Sequence, residues 1–145
     1  MWADMAAAYE ALSPPYRRML DELEAVHSTE HAARRLTSAA DRAVFGKGAR
    51  FIHPAVLTDP VSGRRMLYVN SHFTERLSGV TAAESDSILE FLFGHIATPE
   101  FHIRWQWQLN DIAIWDERLT QHRAVADYEG TRAFRRAAIK GDRPR

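Results

Sequence analysis

Three observations predict an α+β fold with a mostly antiparallel sheet. Helical spacing of apolar residues comes first, between about residues 3 and 26. After residue 50 the period shortens to that of extended strands, in runs separated by turn-forming residues. With 145 residues, 46% of them hydrophobic and 26% charged, the chain has room for one domain and not for a second full one. Helices first and strands second build an α+β rather than an alternating βαβ architecture.

Each element has a local reason. Ala3 to about Leu12 is alanine-rich and apolar on one side, and Ser13-Pro14-Pro15 ends it and opens a second helix, with Ser13 as N-cap and proline in the first turn. Tyr16, Met19, Leu20, Leu23 and Val26 follow at spacings of three and four, so the second helix is expected to run through Val26 on a core. Ser28 to Ala43 has few large apolar side chains and reads as a weakly packed helix or excursion before a Gly46-Lys47-Gly48 break. Phe51–Leu57 and Arg65–Asn70 are extended runs around Asp59-Pro60-Val61-Ser62-Gly63-Arg64, the pattern of a β-hairpin. Thr81 and Glu84 form a capping box ahead of Ile88, Leu89, Phe91, Leu92 and Phe93, which predicts a helix over about 82–96. His102 to Leu109 alternates polar and apolar, so Ile103, Trp105, Trp107 and Leu109 share one face of an expected strand, with a turn at Asn110-Asp111. A last strand is expected over about 131–139.

Composition narrows the function. Nineteen basic and nineteen acidic residues give a net charge of zero, so no global field draws the molecule to nucleic acid or to an anionic membrane. Without cysteine there is no disulfide, thiolate metal site or cysteine nucleophile, and a cytoplasmic setting is expected. The N-terminus has no signal-peptide pattern and no apolar run reaches the roughly 20 residues that span a bilayer.

Seven histidines invite a search for metal pairs. No His-x-Asp, His-x-Glu or His-Glu-x-x-His occurs, and His27 with His31 at i,i+4 is compatible with a metal but common by chance. His53 reads as a strand-start residue, and His72, His95 and His102 as surface or rim positions. In the tail, Arg132 and Arg136 would share one strand face roughly 13 Å apart with Phe134 between them. Two guanidinium groups on one face suit a carboxylate or sulfonate ligand; the alternative is a solvated arginine stripe on an edge strand.

The segment from Trp115-Asp116-Glu117-Arg118 through His122 to Arg132, Arg136 and Asp142 resembles the C-terminal signature of the taurine dioxygenase (TauD/TfdA) family of Fe(II)- and 2-oxoglutarate-dependent dioxygenases. The resemblance continues in His53-Pro54-Ala55-Val56, Pro60-Val61-Ser62-Gly63-Arg64, Leu67-Tyr68-Val69-Asn70 with Phe73-Thr74, Glu84-Ser85, Pro99-Glu100-Phe101 with Arg104-Trp105, and Ala7-Ala8-Tyr9-Glu10-Ala11-Leu12-Ser13. It covers nearly the whole chain and is poorest from about Ser28 to Arg50.

The resemblance implies a partial double-stranded β-helix, a cupin-like jelly-roll, with flanking helices. It implies that His122 is the distal histidine of a two-His-one-carboxylate iron site and that Arg132 pairs with the far carboxylate of 2-oxoglutarate. Arg136 is implied to face the substrate anion or the cosubstrate, Phe73 to lie against substrate, and Trp115 to lie near the iron. These matches place a one-residue difference in the loop at Glu129-Gly130. The implied reaction consumes 2-oxoglutarate and O2, gives succinate and CO2, and hydroxylates a small organic anion of sulfonate, sulfate ester or aryloxy/carboxylate type. The family's His-x-Asp pair, and a threonine that helps bind 2-oxoglutarate, fall before the Trp2 position. Residues 1–145 are therefore expected to form the C-terminal portion of a longer enzyme's domain or to be complemented by a separate N-terminal half, and homo-oligomerisation is a separate expectation because a half-barrel leaves bare strand edges. The alternative expectation is a catalytically inactive remnant that binds an anion or a partner.

Overall fold

The computed structural model describes residues 1–34, 48–131, 133–139 and 141. Its elements are β1 (Trp2–Asp4), α1 (Met5–Glu10), α2 (Pro14–Asp21), β2 (Glu24–Ser28), α3 (Thr29–Arg34), β3 (Arg50–Pro54), β4 (Val56–Thr58), β5 (Arg65–Leu67), β6 (Thr74–Ser78), α4 (Ala82–Ile96), a 3₁₀ turn (Pro99–Phe101), β7 (His102–Ile103) and β8 (Thr120–His122). The strands form sheets of order β7-β1-β8 and β3-β2-β6 and a β4-β5 pair, all antiparallel. The α+β class is as expected.

The first helix is shorter than its alanine content predicts. Asp4 Oδ1 accepts from the Ala6 and Ala7 N–H groups at 2.9 and 3.0 Å, so Asp4 is the cap and Trp2–Asp4 is left to pair as β1. Small side chains at Ala6 and Ala8, fully buried, let α1 pack on β5. In α2 Pro14 and Pro15 occupy the first turn, but Ser13 makes no side-chain cap.

The second helix does not reach Val26. It stops at Asp21, and Glu24–Ser28 is the central strand of its sheet, paired with β3 and β6. All residues of β2 after Glu24 are buried, so the period-2 alternation that marks a half-buried strand is absent and Leu23 and Val26 fall by coincidence on the helical spacing. The segment read as an excursion begins as α3, and its remainder lies outside the described residues.

The hairpin forms, but its first run splits. Val56↔Leu67 and Thr58↔Arg65 pair β4 with β5, while Ala25↔His53 sends β3 to the other sheet. The loop is locally determined: Asp59 Oδ2 accepts from the Ser62 N–H and hydroxyl at 2.8 and 2.6 Å, and Gly63 takes φ 71°.

Helix α4 spans the predicted residues. Thr81 Oγ1 accepts from Glu84 N–H at 3.4 Å, and the Glu84 carboxylate accepts from Thr81 N–H at 2.8 Å and from its hydroxyl at 2.7 Å. These bonds hold the Glu84 carboxyl below its ordinary pKa. Thr81→Ala is expected to cost about 1 kcal/mol and Thr81→Ser almost none, measured as the urea midpoint. Leu89 and Leu92 carry α4 onto a core with Met5, Leu20, Met66, Leu67, Val69 and Leu77.

The two late strands are corrected. Only His102–Ile103 of the alternating run is a strand, and residues 104–107, ahead of the turn at Asn110 (φ 71°), belong to no strand. Among the described residues of 131–139 no strand occurs. Alternation prepares a face, but a strand also needs a neighbour, and β7 finds one only at Trp2 and Ala3. Ile103, Trp105, Leu109, Ile112 and Ile114 are left exposed.

His27 on β2 is buried, with Nδ1 3.3 Å from the Thr74 hydroxyl and its ring 5.8 Å from His53 and 5.3 Å from Tyr68. Its Nε2 has no hydrogen-bond partner. His53 lies within β3 rather than at a strand start. His95 and His102 are rim residues whose ring nitrogens meet the carbonyls of Ala8 and Ile96 at 2.8 and 2.7 Å.

Candidate functional site

The site is assembled on the β7-β1-β8 sheet. The register puts His122 of β8 opposite Trp2 of β1, and the Met5 N–H to Leu119 carbonyl bond, 2.9 Å, secures the pairing beyond the strand. The Trp2 indole lies tilted 5.2 Å from Trp115 and 6.1 Å from Trp107, and Phe134 lies edge-on 4.9 Å from Trp107. The chain from Trp115 to His122 thus loops over an aromatic floor.

Glu117 connects this loop to the tail. Its Oε1 accepts from an Arg136 terminal N–H at 2.7 Å and lies 3.5 Å from His122 Nδ1, while Oε2 accepts from Trp115 Nε1–H at 2.8 Å. The Trp115 ring is 5.5 Å from the His122 ring, and the Arg136 guanidinium carbon stands 5.9 Å from the Trp115 ring centroid, within cation–π range. An imidazole, a guanidinium and a carboxylate therefore meet around one indole. A guanidinium with open donors receives an oxyanion, and an imidazole with a neighbouring carboxylate can bind a cation or carry a proton.

His122 and Arg136, distant in sequence, are brought together. Phe73 belongs to another part of the fold: Asn70 Oδ1 accepts from the His72 and Phe73 N–H groups at 3.1 and 2.7 Å, and the Phe73 carbonyl accepts from Ser28 N–H at 2.8 Å. Its turn is tied to β8 one step away, where Gln121 Nε2 donates to the Val69 carbonyl at 2.6 Å. Arg132 lies outside the described residues. A cavity of about 270 Å³ opens on the same sheet, lined by Trp2, Arg64, Phe101, Ile103 and Leu119 among others, and none of His122, Glu117 or Arg136 lines it.

Sequence reasoning assigned no role to Glu117 or Trp2. Nothing in their spacing signals one, because Glu117 meets an arginine 19 positions away and Trp2 meets its partners only through sheet pairing.

Among the described residues no group of three or more His, Cys, Asp or Glu side chains is placed to hold a metal ion. His122 with Glu117 offers one imidazole and one carboxylate, which falls short of the two imidazoles and a carboxylate of a facial iron triad. No helix among the described residues is long and apolar enough to cross a membrane.

The antiparallel α+β fold thus brings an imidazole and a guanidinium beside one tryptophan, an arrangement whose chemistry suits a small anion. Comparison with known proteins narrows that chemistry. The sequence model described as "Taurine catabolism dioxygenase TauD, TfdA family" matches residues 1–138, and the chain belongs to that family. It is 39% identical over 154 aligned positions to an alpha-ketoglutarate-dependent sulfate ester dioxygenase of Pseudomonas putida, a match that covers 99% of this chain and 50% of that protein. A crystal structure of a taurine dioxygenase from Burkholderia xenovorans superposes with a TM-score of 0.67 at 37% identity, covering 82% of this chain and 38% of that one. The structure of AAD-2 in complex with Mn(II) and N-oxalylglycine gives a TM-score of 0.69 at 30% identity, covering 82% of this chain and 47% of that one. The chain spans half or less of the length of each of these relatives.

Proposed function

We propose that residues 1–145 form the C-terminal portion of an Fe(II)- and 2-oxoglutarate-dependent dioxygenase domain, a partial jelly-roll with flanking helices. The domain would hydroxylate a small organic anion and convert 2-oxoglutarate (alpha-ketoglutarate) and O2 to succinate and CO2. A sulfate ester or sulfonate is the favoured substrate class, with aryloxy or carboxylate anions next. The observation that carries this reading is the meeting of His122 and Arg136 at one carboxylate, in a chain whose residues 1–138 match the family.

In this reading His122 supplies one imidazole of the metal site, and the remaining donors come from residues outside the group described. Arg132 forks onto the far carboxylate of 2-oxoglutarate, fixing its orientation as well as its charge. Arg136 receives the anionic group of the substrate or cosubstrate from its place over Trp115, and Phe73 packs against the substrate. The exposed apolar residues Ile103, Trp105, Leu109, Ile112 and Ile114 support the domain assignment, since such faces contribute stability only when covered. A completing N-terminal half, or a second copy of the chain, is the cover expected there. A cytoplasmic setting belongs to the same proposal, resting on the cysteine-free sequence.

The test is succinate formation by the gene product as its own cells make it, supplied with Fe(II), 2-oxoglutarate, O2 and a panel of alkyl sulfates and sulfonates. Succinate release that depends on one of these anions is the expected result. A second reading, a non-catalytic anion- or partner-binding module, is favoured by the incomplete donor set among the described residues. It predicts no succinate with any of the panel.

A further inference from the structure

Arg136 is not presented to ligand as a bare cation. Its terminal N–H donates to Glu117 Oε1 at 2.7 Å, and the two side chains are equally half-exposed. Glu117 is held on its other oxygen by the Trp115 indole N–H at 2.8 Å, and Trp115 itself is packed 5.2 Å from Trp2. The carboxylate is therefore oriented by the aromatic floor and not merely swept near the arginine by a flexible side chain. Among the described residues it is also the carboxylate in contact with His122, at 3.5 Å.

From this geometry we infer that Glu117 is a specificity-determining residue of the anion site: a resident carboxylate that occupies the Arg136 guanidinium and must be displaced by an incoming anion. The inference rests on the reading of Arg136 as an anion receptor. A guanidinium has five N–H donors in a fixed fork, and Glu117 uses one of them, so an anion with several terminal oxygens sharing its charge can engage the free edge first and then replace the carboxylate. Sulfate monoesters and sulfonates meet that requirement. A neutral ligand gains nothing from the exchange, and an anion with a single accepting oxygen cannot hold the free edge while it replaces the Glu117 contact. Glu117 thus sets a threshold of charge and oxygen count at the site.

The probe is inorganic sulfate, titrated into the protein against chloride at constant ionic strength and read from the Trp115 indole N–H resonance. Glu117→Gln keeps the shape and an oxygen acceptor for the indole and removes the competing charge. Sulfate affinity is expected to rise about two- to fivefold, the range that exposed ion pairs are worth. Glu117→Asp, which keeps the charge but draws it back from the guanidinium, should fall between wild type and Glu117→Gln. Adding Arg136→Gln to Glu117→Gln should abolish the gain. Equal sulfate affinity in wild type and Glu117→Gln would overturn the inference while leaving Arg136 an anion receptor. No sulfate response in any variant would overturn both. A gain that survives Arg136→Gln would place the anion elsewhere and also overturn it.

Discussion

His122→Ala is expected to lower 2-oxoglutarate turnover by more than about 100-fold while leaving the fold in place. Loss of a partner that merely supports a metal ligand already costs 10- to 100-fold, and the proposed role of His122 is the ligand itself. Its structural role is small. The side chain is 36% exposed, its ring lies beside Trp115, and its ion-pair partner, Glu117 at 3.5 Å, keeps the shorter contact to Arg136. The stability change should stay within about 1 kcal/mol, as for surface substitutions away from core and caps. Succinate release and the thermal midpoint, measured on the same preparation of the complete gene product, separate the two effects. Retained turnover would sink the assignment of His122. Lost turnover with a collapsed midpoint would show a structural residue instead.

The second large effect is a loss of stability on acidification that originates at His27. Burial in β2 disfavours the imidazolium, with His53 adding charge repulsion, and together they lower the His27 pKa from 6.5 to about 4. Between these values the unfolded chain binds a proton that the folded chain does not, so stability rises with pH in this window. The contribution is complete above about pH 6.5 and is progressively lost as pH falls toward 4. Over the full window it amounts to about 3 kcal/mol. The groups facing His27 are Thr74, His53 and Tyr68, and burial raises the Tyr68 pKa, which keeps that phenol neutral throughout. Carboxylates held low by hydrogen bonds, Asp59, Glu84, Asp111 and Asp116, contribute a separate loss at lower pH. Urea midpoints at pH 7.0 and 5.0 are expected to differ clearly in wild type and much less in His27→Gln. An unchanged pH dependence in the variant would place the acid sensitivity elsewhere.

Local signals in the sequence located the elements that depend on nearest neighbours. The Thr81–Glu84 box marks α4 because both partners lie within one turn, and Asp59, Ser62 and Gly63 mark the hairpin loop for the same reason. Strand pairing was less legible. Residues 104–109 continue the alternation of a strand without a partner, whereas β2 has partners on both sides and no alternation. Periodicity reports how many faces a segment buries, and it is silent when both faces are covered.

By itself, then, the sequence determined the α+β class, the capped helix, the hairpin loop and the residue types of the candidate anion site, because each is written in short-range spacing or ordered motifs. Only the tertiary structure decided that Trp2–Asp4 is a strand, that Glu24–Ser28 is the centre of a sheet, and that Glu117 stands between His122 and Arg136. Those three outcomes rest on contacts between residues far apart along the chain. Such contacts are selected by which surfaces cover one another, a property that no single segment carries.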